Sequence, residues 1–452
     1  MNVQVIDPIA SEQHTVVRHA ANGRYSVWPA GETPSGNWVE TDFHGTQEQC
    51  FDAITDWANG DEPCRSQPSA KPSVKTDGDS TPSTVNLSLM FFGDQQDDPT
   101  GDRYRLFFEA AQFADQHGFS GIWVPERHFT KFGCLYPSPA VLHAALARET
   151  DRIRLRAGSV VMPLHDPVEV AESWAMVDNL SGGRVDVAFA SGWHPNDFAL
   201  APDHYEDRHT HMHAGIEEVQ KLWRGETVAR RNGVGESIDV GVYPTPVQQE
   251  LPVWMTIAGN PDSFVLAGQK GYHIVTHLFN QNVEDLAANI QRYRDAWASA
   301  GHNRGTQTTN EGQVSVAMHT LVGRDLDTVR RHAEQPYCDY LRSNLGLLKN
   351  LAISNGRDAE IDSLSEPDRE AMLHWMFDKF LGRRSLLGTP DTCRKMLTEL
   401  EQIGVTEIAC LLDFGPTREA ILECLPLLAS LCAPDDTMTE QNNCELVKPH
   451  GR

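Results

Sequence analysis

A chain of 452 residues with a formal net charge of −25 is long enough for one large α/β domain and a smaller unit. Its 40% hydrophobic and 22% charged residues are typical of a globular protein, and no apolar run reaches the roughly 18 residues of a membrane helix. The negative charge argues against nucleic acid as a partner, because phosphates require clustered Lys and Arg. The N-terminus lacks a secretion signal and the nine cysteines form no CxxC pair, so we expect a cytoplasmic protein with free thiols.

Composition divides the chain into four segments. Residues 61–84 are rich in Pro, Ser, Asp and Gly without periodic apolar positions, which is typical of a flexible linker. Before it, residues 1–60 have the pattern of short strands joined by Gly and Pro turns, followed by a helix over 46–58. The large domain spans 85–433, and the polar segment 434–452 is predicted to be a disordered tail.

Strands and helices alternate along the large domain. Several of the amphipathic helical stretches end in Gly, the usual helix stop. The strand candidates are 86–92, 121–126, 152–162, 185–192, 253–259, 273–279, 313–322 and 407–414, and the helical ones include 103–118, 167–183, 283–301 and 389–404. This alternation predicts a (β/α)8 barrel, with an open doubly wound sheet as the alternative. The longer segments 226–250 and 335–385 are interpreted as insertions, either lids or surface elaborations.

Polar side chains follow three of the predicted strands. They are Glu126, Arg127 and His128 after the second strand, Ser191, Gly192, Trp193 and His194 after the fourth, and Gly259, Asn260, Pro261, Asp262 and Ser263 after the fifth. Because the strand ends of a barrel meet on one face, these side chains predict a site there. The last group begins a helix, so its backbone N–H groups suit a phosphate. The alternatives without a functional role are a solvated loop for the first group and an ordinary helix cap for the last.

Two further patterns are interpreted as structural. The run of His209, His211 and His213, with His204 upstream, is not a metal site, since alternate residues do not share one helix face. Tryptophans within apolar helical stretches are expected in the core. These are Trp174, Trp223, Trp297 and Trp375.

Four segments resemble the bacterial luciferase-like flavin monooxygenases, and in particular the subgroup encoded within or beside polyketide and nonribosomal peptide assembly lines. The segments are 123–133, 160–193, 254–271 and 386–415, and the resemblance covers about residues 85–430. It implies a TIM barrel of the bacterial luciferase type, a homodimer, and reduced FMN (FMNH2) supplied by a separate flavin reductase. Molecular oxygen would be the co-substrate. The chain has no convincing GxGxxG motif after a strand, which fits an enzyme that needs no NADPH site of its own.

The resemblance also implies roles for cofactor-binding residues. Ser159 matches the position beneath the flavin ring, where a nonproline cis peptide would join it to Gly158. The loop with Ser191, Gly192 and Trp193 matches the one that touches phosphate and ribityl. The strand-to-helix turn with Gly259, Asn260 and Ser263 matches the phosphate-binding turn. Luciferases carry an Arg at the position of Ser191, so backbone amides and hydroxyls are expected to bind the phosphate here.

The strand-two motif departs from the luciferases. Arg127 stands where they have a catalytic His, directly after the Glu126 position. His128, one residue further on, becomes the candidate acid, base or hydrogen-bond donor. We therefore expect Glu126, Arg127 and His128 to be the catalytic residues.

The first sixty residues resemble MbtH-like proteins, which bind adenylation domains of nonribosomal peptide synthetases. The motifs are YSVWP at 25–29, PSGNW at 34–38, and Trp57. The resemblance implies that Ser26, Trp28 and Trp38 bind the partner, with the two indoles gripping a small apolar side chain. The alternative is that both indoles fill a small core.

Both resemblances point to nonribosomal peptide or hybrid polyketide biosynthesis. We expect a monooxygenase that acts on an aminoacyl or peptidyl group held by a carrier protein. C-hydroxylation, N-hydroxylation and Baeyer–Villiger insertion remain open. The alternatives are a deazaflavin-dependent oxidoreductase and a non-catalytic docking protein for an adenylation domain.

Overall fold

The computed structural model describes residues 14–19, 25–29, 38–45, 83–93, 101–130, 133, 135–279, 281–302, 312–343 and 366–432. The chain separates into two compact units, Met1–Asp79 and Ser80–Arg452. The predicted helix over 46–58, most of the predicted linker and the predicted tail lie outside the described residues.

The first unit contains an antiparallel sheet with the strand order β2–β1–β3. The strands are β1 His14–His19, β2 Tyr25–Pro29 and β3 Trp38–Gly45. Trp28 pairs with Thr15, and Trp38 pairs with His19. Ser26 and Trp28 thus lie in one outer strand and Trp38 begins the other, while their side chains lie outside the described part of the chain.

The second unit is a closed parallel barrel, as the alternation of the sequence predicts. Among the described residues, eight strands follow one another around the ring, and the last pairs with the first. They are β4 Asn86–Met90, β5 Gly121–Val124, β6 Arg154–Val161, β7 Val185–Ala190, β10 Val253–Thr256, β11 His273–His277, β12 Val314–Val322 and β14 Glu407–Leu411. The pairing of β11 with β12 excludes the open sheet. A short further strand, β13 Leu386–Gly388, pairs with the carboxyl end of β12.

Helices follow the strands, and several have the capping residues that their sequences predict. The helices are α1 Arg105–Gln116, α2 Pro139–Leu146, α3 Pro167–Ser181, α4 Arg208–Trp223, α5 Pro261–Lys270, α6 Val283–Ser299, α7 Leu326–Ser343, α8 Glu366–Phe380, α9 Pro390–Gln402 and α10 Arg418–Ala429. In α3, the Asp166 side chain accepts from the backbone N–H of Val168, and Gly182 ends the helix with a φ of 70°. The four helices predicted for the large domain are confirmed. None of the described helices has the length and apolar character to cross a membrane.

An ion-pair network fills the amino-terminal half of the barrel interior. The buried Arg156 guanidinium lies 2.8 Å from Asp186 and 2.6 Å from Glu407. It also lies over the indole rings of Trp123 and Trp254, at 4.9 and 5.3 Å from their centroids. Burial raises the pKa of Asp186, but the neighbouring arginines outweigh burial and hold it below its usual value. This network forms the floor of the barrel.

Above this floor the inward positions are small. Side chains alternate along a strand, so the inward residues Asp186 and Trp254 place Ala190 and Thr256 inward as well, nearer the carboxyl ends. Ala190 and Ala317 are partly exposed and Thr256 is exposed, although all three lie in central strands of the closed sheet. The carboxyl end of the barrel therefore holds an open space, which we call the mouth.

The two predicted insertions contain regular structure. Residues 226–250 include a hairpin of β8 Val228–Arg231 and β9 Ser237–Val240. Residues 335–385 include the second half of α7 and all of α8.

Trp174, Trp223 and Trp297 are buried, as predicted, but the prediction that Trp375 lies in the core is wrong. Leu373 and Phe377, one helical turn apart in α8, are fully buried, and Trp375 between them lies on the other side at 47% exposure.

Candidate active site at the barrel mouth

The loops after β5 and β7 meet at the mouth. The Arg127 guanidinium lies 4.7 Å from the ring centroid of Trp193 and is buried. Asp197, also buried, lies near it and 3.4 Å from His194 Nδ1. Burial lowers the pKa of Arg127, while the charge of Asp197 opposes that effect. Two of the three predicted clusters are therefore in direct contact.

Glu126 lies beneath this contact and not at the mouth itself. It is 4% exposed, and its Oε1 accepts hydrogen bonds from His128 Nε2 at 2.8 Å and from His165 Nε2 at 2.6 Å. Its Oε2 accepts from the backbone N–H of Val161 at 2.8 Å. Burial raises the pKa of Glu126, but these donors outweigh burial and hold it below its usual value. Glu126 is thus a buried carboxylate that orients two imidazoles.

The hydrogen bond to Glu126 fixes the tautomer of His128. A carboxylate accepts only from a protonated nitrogen, so Nε2 of His128 carries a hydrogen and Nδ1 is the nitrogen that remains to exchange a proton. The imidazole is 13% exposed. The next residue, Phe129, has a φ of 55° and is 66% exposed. It borders an open apolar pocket of about 590 Å³ together with Phe198 and Tyr205.

The peptide bond between Gly158 and Ser159 is cis, as the family resemblance predicts. It lies in β6 where the pairing with β7 shifts register between Gly158 and Val160. Ser159 is 9% exposed. A Cβ atom on Gly158 would lie 3.2 Å from the Trp123 side chain, so the strand passes close above the barrel floor.

The loop after β7 requires glycine and carries a cation that the sequence analysis missed. Gly192 has a φ of 79°, and a Cβ there would lie 2.8 Å from Phe198 and Val161. Arg208, the first residue of α4, donates from Nε to the Gly192 carbonyl at 3.2 Å and from Nη1 to the Tyr205 carbonyl at 2.9 Å. The sequence offers one signal for Arg208, which is its place at the start of the helix that follows the loop containing Ser191. Arg208 thus places a positive charge beside the loop that contains Ser191.

The third predicted cluster lies at the same end of the barrel but contacts different neighbours. The Asn260 side-chain oxygen accepts from the backbone N–H of Asp262, and the Asn260 backbone carbonyl accepts from the N–H groups of Ser263 and Phe264. The N–H groups in the first turn of α5 are therefore already hydrogen-bonded to the cap residue. In the described part of the chain, the N–H groups of Gly259 and Asn260 and the Ser263 hydroxyl remain for a ligand. Asn260 is thus an ordinary helix cap, and the backbone N–H groups left for a ligand are those of Asn260 and the residue before it. The Gly259 carbonyl accepts from Asn289 of α6 at 3.4 Å.

The opposite wall of the mouth is neutral and aromatic, and sequence reasoning missed it. Burial lowers the pKa of His277 to about 4 and of His319 to about 3, so both are neutral at pH 7. Four rings from three separate segments surround His319: Phe279, Tyr337 and Tyr340 of α7, and Phe414.

Asp413 is a buried acid at the end of β14. Its Oδ1 accepts from the N–H groups of Phe92 and Gly93, at 2.8 and 2.9 Å, and its Oδ2 from the Tyr136 hydroxyl at 2.8 Å. Burial raises its pKa to about 6, against the effect of these donors. Asp413 thus joins the loops that follow β4, β5 and β14.

These features define a parallel (β/α)8-barrel protein with a ligand site built from the loops at the carboxyl ends of its strands. The model of the luciferase-like monooxygenase family matches residues 85–407, so the chain belongs to this family.

Two curated relatives extend the comparison. The oxygenase component of flavin-dependent trigonelline monooxygenase from Acinetobacter baylyi is 24% identical over 323 residues, covering 70% of this chain and 85% of that protein. The 4-hydroxyprotoasukamycin monooxygenase of Streptomyces nodosus subsp. asukaensis is 30% identical over 223 residues, covering 48% of this chain and 59% of that protein.

Solved structures share the fold at low sequence identity. The oxygenating constituent of 3,6-diketocamphane monooxygenase from Pseudomonas putida, in complex with FMN, has a TM-score of 0.60 and 17% identity, covering 77% of this chain and 98% of that one. An F420-dependent secondary alcohol dehydrogenase has a TM-score of 0.57 and 14% identity, with the same coverage. These two structures show that the barrel fold is shared, but they hold different cofactors, FMN and F420, so the likeness does not decide between them.

Proposed function

We propose that the barrel is an FMNH2- and O2-dependent monooxygenase supplied with reduced flavin by a separate reductase. The observation that carries this proposal is the open mouth, where the small inward side chains of Ala190, Thr256 and Ala317 are partly or fully exposed above a floor of packed indoles. Such a space suits a flat ring system. The flavin dependence of the trigonelline relative and the FMN in the Pseudomonas structure support the same cofactor.

The residues present fit FMN. Arg208 and the donors at Gly259, Asn260 and Ser263 suit a phosphate, since they combine one guanidinium with backbone N–H groups and a hydroxyl. The ring would lie against the cis peptide at Ser159. Reduced FMN bound there would supply the electrons that activate O2. The protein residues bind the cofactor, exclude water and handle protons.

His128 and Arg127 divide the remaining work. Glu126 accepts from Nε2 of His128, so Nδ1 is the nitrogen left to take a proton, and the neutral ring serves as the proton acceptor at the mouth. Arg127 is a buried cation fixed between the Trp193 ring and Asp197, so it stabilises negative charge that develops nearby.

The substrate that we propose is an aminoacyl or peptidyl group delivered by a carrier protein. A natural-product monooxygenase from Streptomyces among the relatives supports this class. The MbtH-like motifs in residues 1–60 support an adenylation domain as partner, bound through Ser26, Trp28 and Trp38. We include a homodimer in the proposal by analogy with the family.

The deciding experiment is mass spectrometry of carrier-bound aminoacyl thioesters after incubation with the protein, FMN, a flavin reductase, NADH and O2. We expect a mass gain of one oxygen atom that requires all components. His128→Gln and Arg127→Met should abolish the gain while FMN still binds, and His211→Gln, away from the mouth, is the matched control. Failure of FMNH2 to bind would refute the proposal.

A second candidate is hydride transfer with a deazaflavin, because F420-dependent enzymes share the barrel. Equilibrium binding of FMN and F420 to the same preparation separates the two. Tighter binding of F420, together with substrate reduction or oxidation in the absence of O2, would favour the deazaflavin.

A further inference from the structure

One buried carboxylate beneath the mouth serves two histidines. His128 Nε2 and His165 Nε2 both lie within hydrogen-bond distance of a single atom, Glu126 Oε1, at 2.8 and 2.6 Å. Burial lowers the pKa of His165, but its bond to Glu126 raises the pKa above its usual value. One carboxylate balances one positive charge, so a proton on one imidazole disfavours a second proton on the other.

The two imidazoles face different spaces. His128 lies at the mouth, in the loop after β5. His165 follows the 3₁₀ turn Met162–Leu164, is 30% exposed, and lines two cavities outside the barrel. One, of about 130 Å³, lies under α2 and α3, and the other, of about 460 Å³, lies between the 3₁₀ turn and α4. His165 therefore has its own access to solvent.

Other charged groups act on each histidine at longer range. Those near His165 are Asp166, Glu169, His204, His211 and Glu218. Those near His128 are Arg127, His194 and Asp197. Glu126 alone, among the described residues, bonds to both rings.

We propose that His165 is a positioning residue that exchanges protonation with His128 through the charge of Glu126. When His128 takes a proton on Nδ1 from a reactant at the mouth, His165 releases the proton of its own Nδ1 into the outer cavity. Both Nε2–H groups stay bonded to Glu126, and the total charge of the three side chains is unchanged. A proton thus reaches solvent while substrate covers the mouth. The reactant rests on the proposed function, whereas the coupling belongs to the three side chains alone.

The coupling is tested by NMR titration of the cofactor-free protein labelled with carbon-13 at histidine Cε1. Replacing His165 by Gln removes the positive charge that competes for the carboxylate, so the carbon-13 shift of His128 should titrate about one pH unit higher than in the parent. Glu126→Gln should lower the pKa of His165. His211→Gln is the control, because His211 lines the same outer cavity without bonding to Glu126. An unchanged His128 titration in His165→Gln overturns the proposal, and this comparison decides even where Glu126→Gln does not fold.

A kinetic experiment separates this inference from the proposed function. His165→Gln keeps an N–H donor for Glu126 but cannot release a proton. We expect a roughly tenfold lower kcat with unchanged KM, an altered pH profile and a larger solvent deuterium isotope effect. Coupling by NMR without any oxygenated product refutes the monooxygenase and leaves the coupling standing. Oxygenated product without coupling by NMR refutes the coupling and leaves the monooxygenase standing.

Discussion

Replacing Asp413 by Asn tests whether burial raises the pKa of this acid in the folded protein. The pKa of Asp413 is raised to about 6 by burial, whereas an unfolded Asp has a value near 3.9. Between these values the folded protein holds a proton that the unfolded chain has lost. The contribution of Asp413 to stability is therefore complete below the unfolded pKa and is lost as pH rises through the folded one. The loss is about 3 kcal/mol at pH 7.

The Asn side chain keeps the shape and cannot ionise. Its oxygen can still accept from the N–H groups of Phe92 and Gly93, and its amide can donate to the rotatable Tyr136 hydroxyl. The unfolding free energies of parent and variant are to be measured by urea denaturation from pH 4 to pH 8. We expect the variant to gain about 2 kcal/mol relative to the parent as pH rises from 4 to 7. A difference that stays constant with pH would refute the reasoning.

Three further predictions concern the loop after β7 and the barrel floor. Gly192→Ala adds a methyl group 2.8 Å from two packed side chains, so it should cost about 1–3 kcal/mol more than the control Gly182→Ala, whose added methyl meets open space at a similar φ. Denaturation of both variants decides this. Arg208→Ala should weaken FMN about 10- to 100-fold and leave riboflavin binding unchanged, and equal weakening of both ligands would contradict a phosphate contact. Arg156→Met leaves the buried Glu407 without its cation and leaves Asp186 with Arg154 alone, so it should cost about 3–5 kcal/mol. A melting temperature equal to that of the parent would show that they find other partners.

The barrel could be predicted from the sequence because its signals are local. Each strand is a short apolar run with a turn residue nearby, and each confirmed helix has its cap within the segment, as Asp166 and Gly182 show for α3. The assignment of Trp375 failed because apolar composition does not say which side of a helix meets the core. Leu373 and Phe377 take that side.

Part of the site could also be predicted, since parallel strands bring their ends together. Contacts between loops are different, because nothing in a local pattern specifies them. The turn after β10 shows the limit. The sequence indicates a helix N-terminus, but in the structure Asn260 already caps the first turn, so the N–H groups available to a ligand are those of Gly259 and Asn260. The pairing of Asp413 with Tyr136 joins residues 277 positions apart.

His165 shows why a motif identifies a site better than it defines the chemistry. The motif Glu126-Arg127-His128 looks complete as a local cluster, and it suggests that Glu126 acts beside its two neighbours. In the folded chain the carboxylate turns away from the mouth and accepts from a histidine 39 positions later. The acid that the sequence offers as a catalyst is therefore a charge shared by two imidazoles on opposite sides of a strand end. Any base activity of His128 must then depend on the protonation of a residue that no reactant at the mouth touches, so an enzyme that lacks His165 should keep its fold and its ligands and show an altered pH profile.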